Sequence, residues 1–388
     1  MTEHDAFMAL VPAVVLLGAG LAAIALARLT RVSAIVGFVL AGVVLGPSAL
    51  GIVRPSETTA LLAELGVVFL LFEIGLHFSI SQLRKNPLDV LALAPLQALL
   101  CALAFGGAAF ALGLRGPVAV AVGGALAISS TAVVMATLSE RNLRSCPLGR
   151  SATTVLIMQD ILAIFLLTYG ASLRGEAIDM AVTLGLAALK ALVGFVLVFT
   201  LGPALLNPAF QFLARTRNQE AFTACALLLT LTLAASAAAA GLSLTLGGFL
   251  AGMMIGATRY RHVIETEAKP FRGLLLGFFF VSVGLAVDLD FLFANLWTVL
   301  ALTLGLLGLK TALNFVAALA SRWTLPGALQ FSFLLAQGSE FAFVILALPG
   351  VAGALAPQQA SLLIAAIAAS LALTGPWSGL GLFLARGI

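Results

Sequence analysis

Long apolar runs, most of them about 17 to 25 residues, follow one another from residue 6 to residue 384 with only short polar intervals between them. A helix of that length crosses a hydrocarbon core about 30 Å thick, and in lipid only helices and closed barrels satisfy their own backbone hydrogen bonds. The weakly alternating segments of about ten residues that mark an outer-membrane barrel are absent. With 62% hydrophobic and 9% charged residues, the chain lacks the charge to coat a soluble globule, where about a quarter would be usual. The expected fold class is therefore an all-α membrane protein.

About thirteen runs are counted, near 6–27, 33–50, 58–77, 88–113, 117–138, 148–170, 180–206, 219–240, 242–258, 271–288, 293–320, 326–349 and 358–384. With the N-terminus outside, fifteen of the 20 Lys and Arg residues fall on the cytoplasmic side, and only Arg54, Arg115 and Arg174 fall outside. Gaining or losing one span would scramble this segregation, so the positive-inside rule supports the count, the orientation and a cytoplasmic C-terminus. The pI near 9.3 is then an orientation signal and does not imply nucleic acid. Glu3 and Asp5 replace a basic leader, so the first run is expected to be a retained helix. The reading is one transmembrane domain over 1–388, with spans 1–6 in 6–170, a linker helix at 180–206 and spans 8–13 in 219–384. Because the seventh span crosses, the second six begin on the opposite side, the inverted-repeat plan of many secondary transporters.

Within this apolar frame, Gln159 and Asp160 stand side by side in the sixth run. Asp160 lies about twelve residues in, roughly 18 Å from either end at 1.5 Å per residue, too deep to snorkel. It must pair, take up a proton or face a wet cavity, the alternative being a buried structural carboxylate. Its expected ion-pair partner is Lys310, also mid-span, with Asn314 one turn further along the same face. A carboxylate that a bare monovalent cation or a proton can occupy, but not both at once, is the elementary device of exchange. Gln159 would add a neutral carbonyl oxygen, and one carboxylate implies one proton per ion.

Two polar breaks interrupt apolar runs at matching places in the two halves. The first, Ile128-Ser129-Ser130-Thr131-Ala132, offers hydroxyl and carbonyl oxygens suited to alkali cations, although such hydroxyls also bond back to the preceding turn. The second, Ala336-Gln337-Gly338-Ser339-Glu340-Phe341, places Glu340 where it is expected to cap a half-helix rather than bind the ion itself. Lys190, Glu64, Glu73 and His77 are further polar residues in apolar context with roles left open, and His4 is expected to be solvated. Cys101, Cys146 and Cys225 have neither paired nor metal-like spacing and read as inert filler. The charged stretch Arg259 to Pro270 reads as a cytoplasmic loop and docking surface.

These residues resemble the Kef branch of bacterial monovalent cation:proton antiporters over essentially the whole chain. The pieces that carry the resemblance are Ser129-Ser130-Thr131-Ala132, Glu140-Arg141-Asn142-Leu143, Gly149-Arg150-Ser151, Gln159-Asp160-Ile161, Pro270 to Gly277 and Gln337-Gly338-Ser339-Glu340-Phe341. The resemblance implies a thirteen-helix homodimer in the inner membrane, in which a core domain of two crossed broken helices moves against a dimerisation domain. It also implies that Gln159-Asp160 marks potassium rather than sodium exchange, that Lys310 is the core lysine, and that His262, Glu265 and Glu267 face a cytoplasmic regulatory domain or subunit. No Gly-x-Gly-x-x-Gly follows a strand before Ile388, so no nucleotide-binding regulatory domain is read in this chain. Glu73 stands where the family has an apolar residue, and His77 where it has an acid.

The function expected from the sequence is potassium efflux in exchange for protons by alternating access. Asp160, Gln159, Ser129, Ser130 and Thr131 would form the ion site, with Gln337, Ser339 and Glu340 in the second break. A sodium/proton antiporter on the same scaffold and a cation channel are the alternatives. The ion and the proton are substrates, and the chain is expected to hold no resident cofactor, to perform no enzymatic chemistry and to have membrane lipid, not nucleic acid, as its surroundings.

Overall fold

The computed structural model describes residues 34–77, 86–173, 219–239 and 244–387, with separate positions between 14 and 25 and between 193 and 215. His4, Lys190 and most of the first and seventh apolar runs lie outside the described residues, as does the side chain of His77. The remaining runs are helical. In chain order they are α1 (Ala34–Leu45), α2 (Glu57–His77), α3 (Ala94–Ala111, entered through a π-helical turn at Asp89–Leu93), α4 (Gly116–Ala127), α5 (Thr131–Glu140) and α6 (Pro147–Ser172). The second half continues with α7 (Gln219–Ala239), α8 (Leu244–Gly256), α9 (Arg261–Leu285), α10 (Leu289–Ala294), α11 (Leu296–Ala320), α12 (Leu325–Leu334), α13 (Glu340–Ala347), α14 (Pro349–Ala352), α15 (Pro357–Ala372) and α16 (Thr374–Arg386).

Among the described residues, six helical stretches are long and apolar enough to cross a membrane, or up to eight if each of two bent pairs is one span. One bent pair is α15 and α16, which meet at 54°. Helix starts follow local chemistry, with proline in the first turn of α4, α6, α12 and α15, where its missing N–H leaves no bond unmade. Cys146 is more than filler, since its Sγ accepts from Gly149 N–H at 3.5 Å and caps α6. The stretch expected to be a charged loop is also corrected, because α9 begins at Arg261 and carries most of it as helix. Its Glu, Ala and Lys are good helix formers. The bend of 51° in α9 falls between Ala268 and Gly273, a stretch whose sequence holds Pro270, a residue with no N–H to give the helical ladder.

The helices sort into two groups by what they pack against. One is built of α1, α2, α7, α8 and α9, and the other of α3 to α6 with α11 to α16. Within the first group, Gly248, Gly252 and Gly256 recur every four residues along α8 and let it lie directly on Val68, Phe72 and Leu76 of α2. A Cβ on Gly252 would fall on the carbonyl oxygen of Phe72. Lipid tails are as apolar as these side chains, so close backbone approach, rather than hydrophobic burial, is what holds such helices together. The two groups meet where α1 packs on α15 and where Phe280 of α9 stands edge-on to Phe343 of α13, with ring centroids 5.9 Å apart.

Candidate functional site

Both polar breaks unwind the backbone. The first separates α4 from α5 at Ile128, Ser129 and Ser130, with Ile128 and Ser130 in extended conformation. The second separates α12 from α13 between Leu335 and Ser339. The breaks cross in contact, Ser130 N–H donating to the Gly338 carbonyl at 3.0 Å. Each break leaves a half-helix C-terminus with unpaired carbonyls and a half-helix N-terminus with unpaired N–H groups, and the helix dipoles make these ends partly negative and partly positive.

The negative ends converge on Lys310. This side chain on α11 is 0% exposed, and its Nζ donates to Ile128 O at 2.7 Å and Gln337 O at 2.8 Å, one carbonyl from each break. Asn314, one turn on, donates to Leu335 O at 3.1 Å, which also accepts from Ser129 Oγ at 2.8 Å. The ion pair expected between Lys310 and Asp160 is therefore corrected, since among the described residues no salt bridge joins them. Sequence spacing shows two opposite charges at mid-bilayer depth, but not that unwound carbonyls supply the ammonium with charge-assisted partners of their own.

The positive ends face carboxyls. Asp160, 7% exposed on α6, accepts from the Thr131 hydroxyl, which lies 3.0 Å from Oδ1 and 3.2 Å from Oδ2 and belongs to the first residue of α5. Glu340, 4% exposed, is the first residue of α13 and reaches the Ser130 side chain and the Ala132 N–H at the start of α5. The crossover is thus electrically sorted, with the ammonium against half-helix C-termini and carboxyls against N-termini.

The oxygens expected to line the ion site are largely engaged elsewhere. Gln159 Oε1 accepts from Ser129 N–H at 2.8 Å, and its Nε2 donates to Gln97 Oε1 at 2.7 Å. Gln97 Nε2 in turn donates to Ala127 O at 3.2 Å, so the amide pair ties α3 and α6 to the end of α4. Ser129 Oγ is committed to Leu335, Ser130 Oγ accepts from Val133 N–H at 3.3 Å as an N-cap, and Ser339 Oγ accepts from Phe341 N–H at 3.2 Å in the same role. Of the expected set, the structure brings Asp160 and Thr131 together, gives Ser129 and Ser339 to the backbone, divides Gln159 between Ser129 N–H and Gln97, and divides Ser130 between Val133 N–H and Glu340.

A search among known families finds that residues 14–383 match the transmembrane sodium/hydrogen exchanger family. The chain belongs to that family. Glutathione-regulated potassium-efflux system protein KefC of Cronobacter sakazakii is 39% identical over 369 residues, and the corresponding protein of Escherichia coli K12 is 37% identical over 366 residues. Each alignment covers 94% of this chain and 59% of the relative, so the chain spans about three fifths of the curated relatives it matches. Among solved structures, the sodium proton antiporter MjNhaP1 of Methanocaldococcus jannaschii superposes with a TM-score of 0.74 at 18% identity, covering 99% of this chain and 100% of that one. The exchanger family's antiporter fold is thereby established.

Two residues outside the set expected from the sequence, Gln97 and Ser370, also brace the crossover. Gln97 stands alone in an apolar run, a signal as plain as that of Gln159, and Ser370 Oγ accepts from Gly338 N–H at 3.0 Å. Glu73, half-buried on α2, acts electrostatically on both Asp160 and Glu340, so the outer helix group brings a third carboxyl to the junction. At the start of α9, His262 and Glu265 approach to 3.4 Å on an exposed turn, and Glu267 accepts from Thr223 of α7 at 3.2 Å.

Proposed function

We propose that the chain is a monovalent cation/proton antiporter that lets potassium out in exchange for entering protons by alternating access. The carrying observation is Asp160, a buried carboxyl at the start of a half-helix whose hydrogen-bonding partner is a neutral hydroxyl. With no salt bridge to neutralise it among the described residues, its charge calls for a transient occupant, a cation or a proton. Asp160 and Thr131 would hold the ion, while Lys310, Gln159, Ser129, Asn314 and the second-break residues Gln337, Ser339 and Glu340 keep the unwound backbone open beside it.

Potassium is preferred because the relatives are named for potassium efflux and because Gln159, rather than a second acid, precedes Asp160. Sodium exchange on the same scaffold is the second reading, favoured by the description of the matched family. The reading extends to about thirteen spans in one domain, with the N-terminus outside and the C-terminus cytoplasmic. A homodimer in the inner membrane and a cytoplasmic regulatory domain or subunit meeting His262, Glu265 and Glu267 complete it. Reconstituted into proteoliposomes, the protein should move protons against an imposed potassium gradient more than against sodium. Equal proton movement with neither ion present would refute both readings.

A further inference from the structure

Among the described residues, five buried side-chain atoms lack a hydrogen-bond partner, and three belong to one turn: Nε2 and Oε1 of Gln337 and Oε2 of Glu340. Gln337 is 0% exposed and Glu340 4%. An unpaired polar group in such surroundings is costly, and most other polar groups of the crossover have partners. Whatever completes this turn must accept a proton from an amide N–H and present hydrogen to an amide oxygen and a carboxyl oxygen. A bare cation meets only the oxygens. Water meets both kinds, with two donors and two acceptors.

The position of the turn gives such water a route. Glu340 reaches Ser130 and Ala132, on either side of Thr131, and Thr131 is the residue that holds Asp160. Both carboxyls therefore flank the first turn of α5, and they act on each other electrostatically. Of the elements packed against α13, α4, α14 and α15 contribute no charged side chain, and α6 contributes Arg150, near its own start, and Asp160. The charged and titratable residues of α9, which meets α13 through Phe280, all lie between Arg261 and Arg272, before that contact, and α5 carries only Glu140, at its far end. Glu73 of α2 is the other charged group acting on Glu340, and Lys310 holds the Gln337 carbonyl from the opposite side.

We propose that Gln337 and Glu340 hold a short buried water chain that carries protons to and from Asp160, with Glu340 as the relay and Gln337 positioning the water. The inference rests on reading Asp160 as the exchanging carboxyl. In the loading step the Glu340 carboxylic acid gives its proton to the adjacent water, which gives one of its own to the Asp160 carboxylate. Asp160 becomes neutral and releases the cation, and Glu340 is left as a carboxylate. It regains a proton from the aqueous side by way of Glu73, the most exposed of the three carboxyls.

The test compares the reconstituted chain with Glu340→Gln and Gln337→Leu. In Glu340→Gln, potassium-driven proton flux should fall roughly a hundredfold, the lower range of what a positioned proton-transfer group contributes. Potassium binding at alkaline pH, followed as thermal stabilisation, should persist. Gln337→Leu has similar size without the polar atoms, so a merely structural role predicts equal or higher thermal stability with unchanged flux. The relay predicts equal stability with slowed flux, slowed further in deuterated water. Wild-type flux and pH profile in either variant would overturn the proposal, and if Glu340→Gln does not fold, Gln337→Leu decides. Exchange that survives Asp160→Asn would instead refute the antiporter reading, a separate result.

Discussion

The Thr131 hydroxyl lies 3.0 Å from Oδ1 of Asp160 and so couples the one carboxyl of α6 to the first residue of the half-helix that follows the first break. The contact sets the carboxyl at the N-terminal end of that half-helix, where the dipole favours its charged form. Asp160→Asn removes the charge while keeping the shape, and potassium-driven proton flux should vanish. Thr131→Val removes one neutral partner, so exchange should persist with cation affinity weaker by up to about tenfold, the equivalent of one hydrogen bond. Concentration dependence of flux in liposomes measures both.

Lys310 joins two carbonyls from two breaks, and Lys310→Met would leave both buried and unpaired. Bonds to a charged donor contribute about 1.5 to 3 kcal/mol each, so a large drop in thermal stability in detergent is expected. Because Lys310 is not the partner of Asp160, adding Asp160→Asn should not restore stability, and the two effects should add. Rescue in the double variant would instead establish the ion pair.

Gln159 serves the fold through both ends of its amide. Gln159→Glu keeps the acceptor for Ser129 N–H but loses the donor to Gln97, leaving two oxygens facing each other. The variant should be less stable than wild type, and Gln97→Leu alongside it should recover part of the loss. Thermal unfolding of the two single variants and the double variant reads this directly.

The seam between α2 and α8 admits no side chain at Gly252. Gly252→Ala sets a methyl against the Phe72 backbone, which cannot give way as a side chain would, and should cost about 1 to 3 kcal/mol or prevent folding. Gly107→Ala, with nothing within 4 Å of the added methyl, should leave stability unchanged or slightly raised. Yield of monodisperse protein separates the two.

If proton and cation compete for Asp160 alone, acidification should raise the half-saturating cation concentration by up to about tenfold per pH unit below the carboxyl's own titration, and maximal flux should be recoverable with more cation. The sign follows from protonation removing the charge that binds the ion. A slope near two decades per unit would show a second carboxyl titrating with it, and no slope would separate the proton from the ion site.

Much of this was readable from residue order alone. Apolar run length gave the membrane helices, the hydroxyl and glycine residues at 128–132 and 336–341 marked the breaks, and the Gln159-Asp160 pair marked the site. The start of α9 is not legible in the sequence, because mixed charge before Pro270 looks alike in a solvated loop and in an amphipathic helix end. Order along the chain could expose Asp160 and Lys310 as costly charges, but not decide whom each would meet.

The sequence by itself determined the apolar surroundings this protein lives in, most of its long apolar helices and the two places where a helix must open, because hydrocarbon penalises every unpaired polar group. Only the tertiary structure decided that Lys310 goes to Ile128 and Gln337, that Gln159 goes to Ser129 and Gln97, and that Glu73 comes near Asp160. Those choices depend on which half-helix ends are brought within 3 Å of each other by segments far apart in the chain. Dipole sign then sorts ammonium to the carbonyl ends and carboxyls to the amide ends.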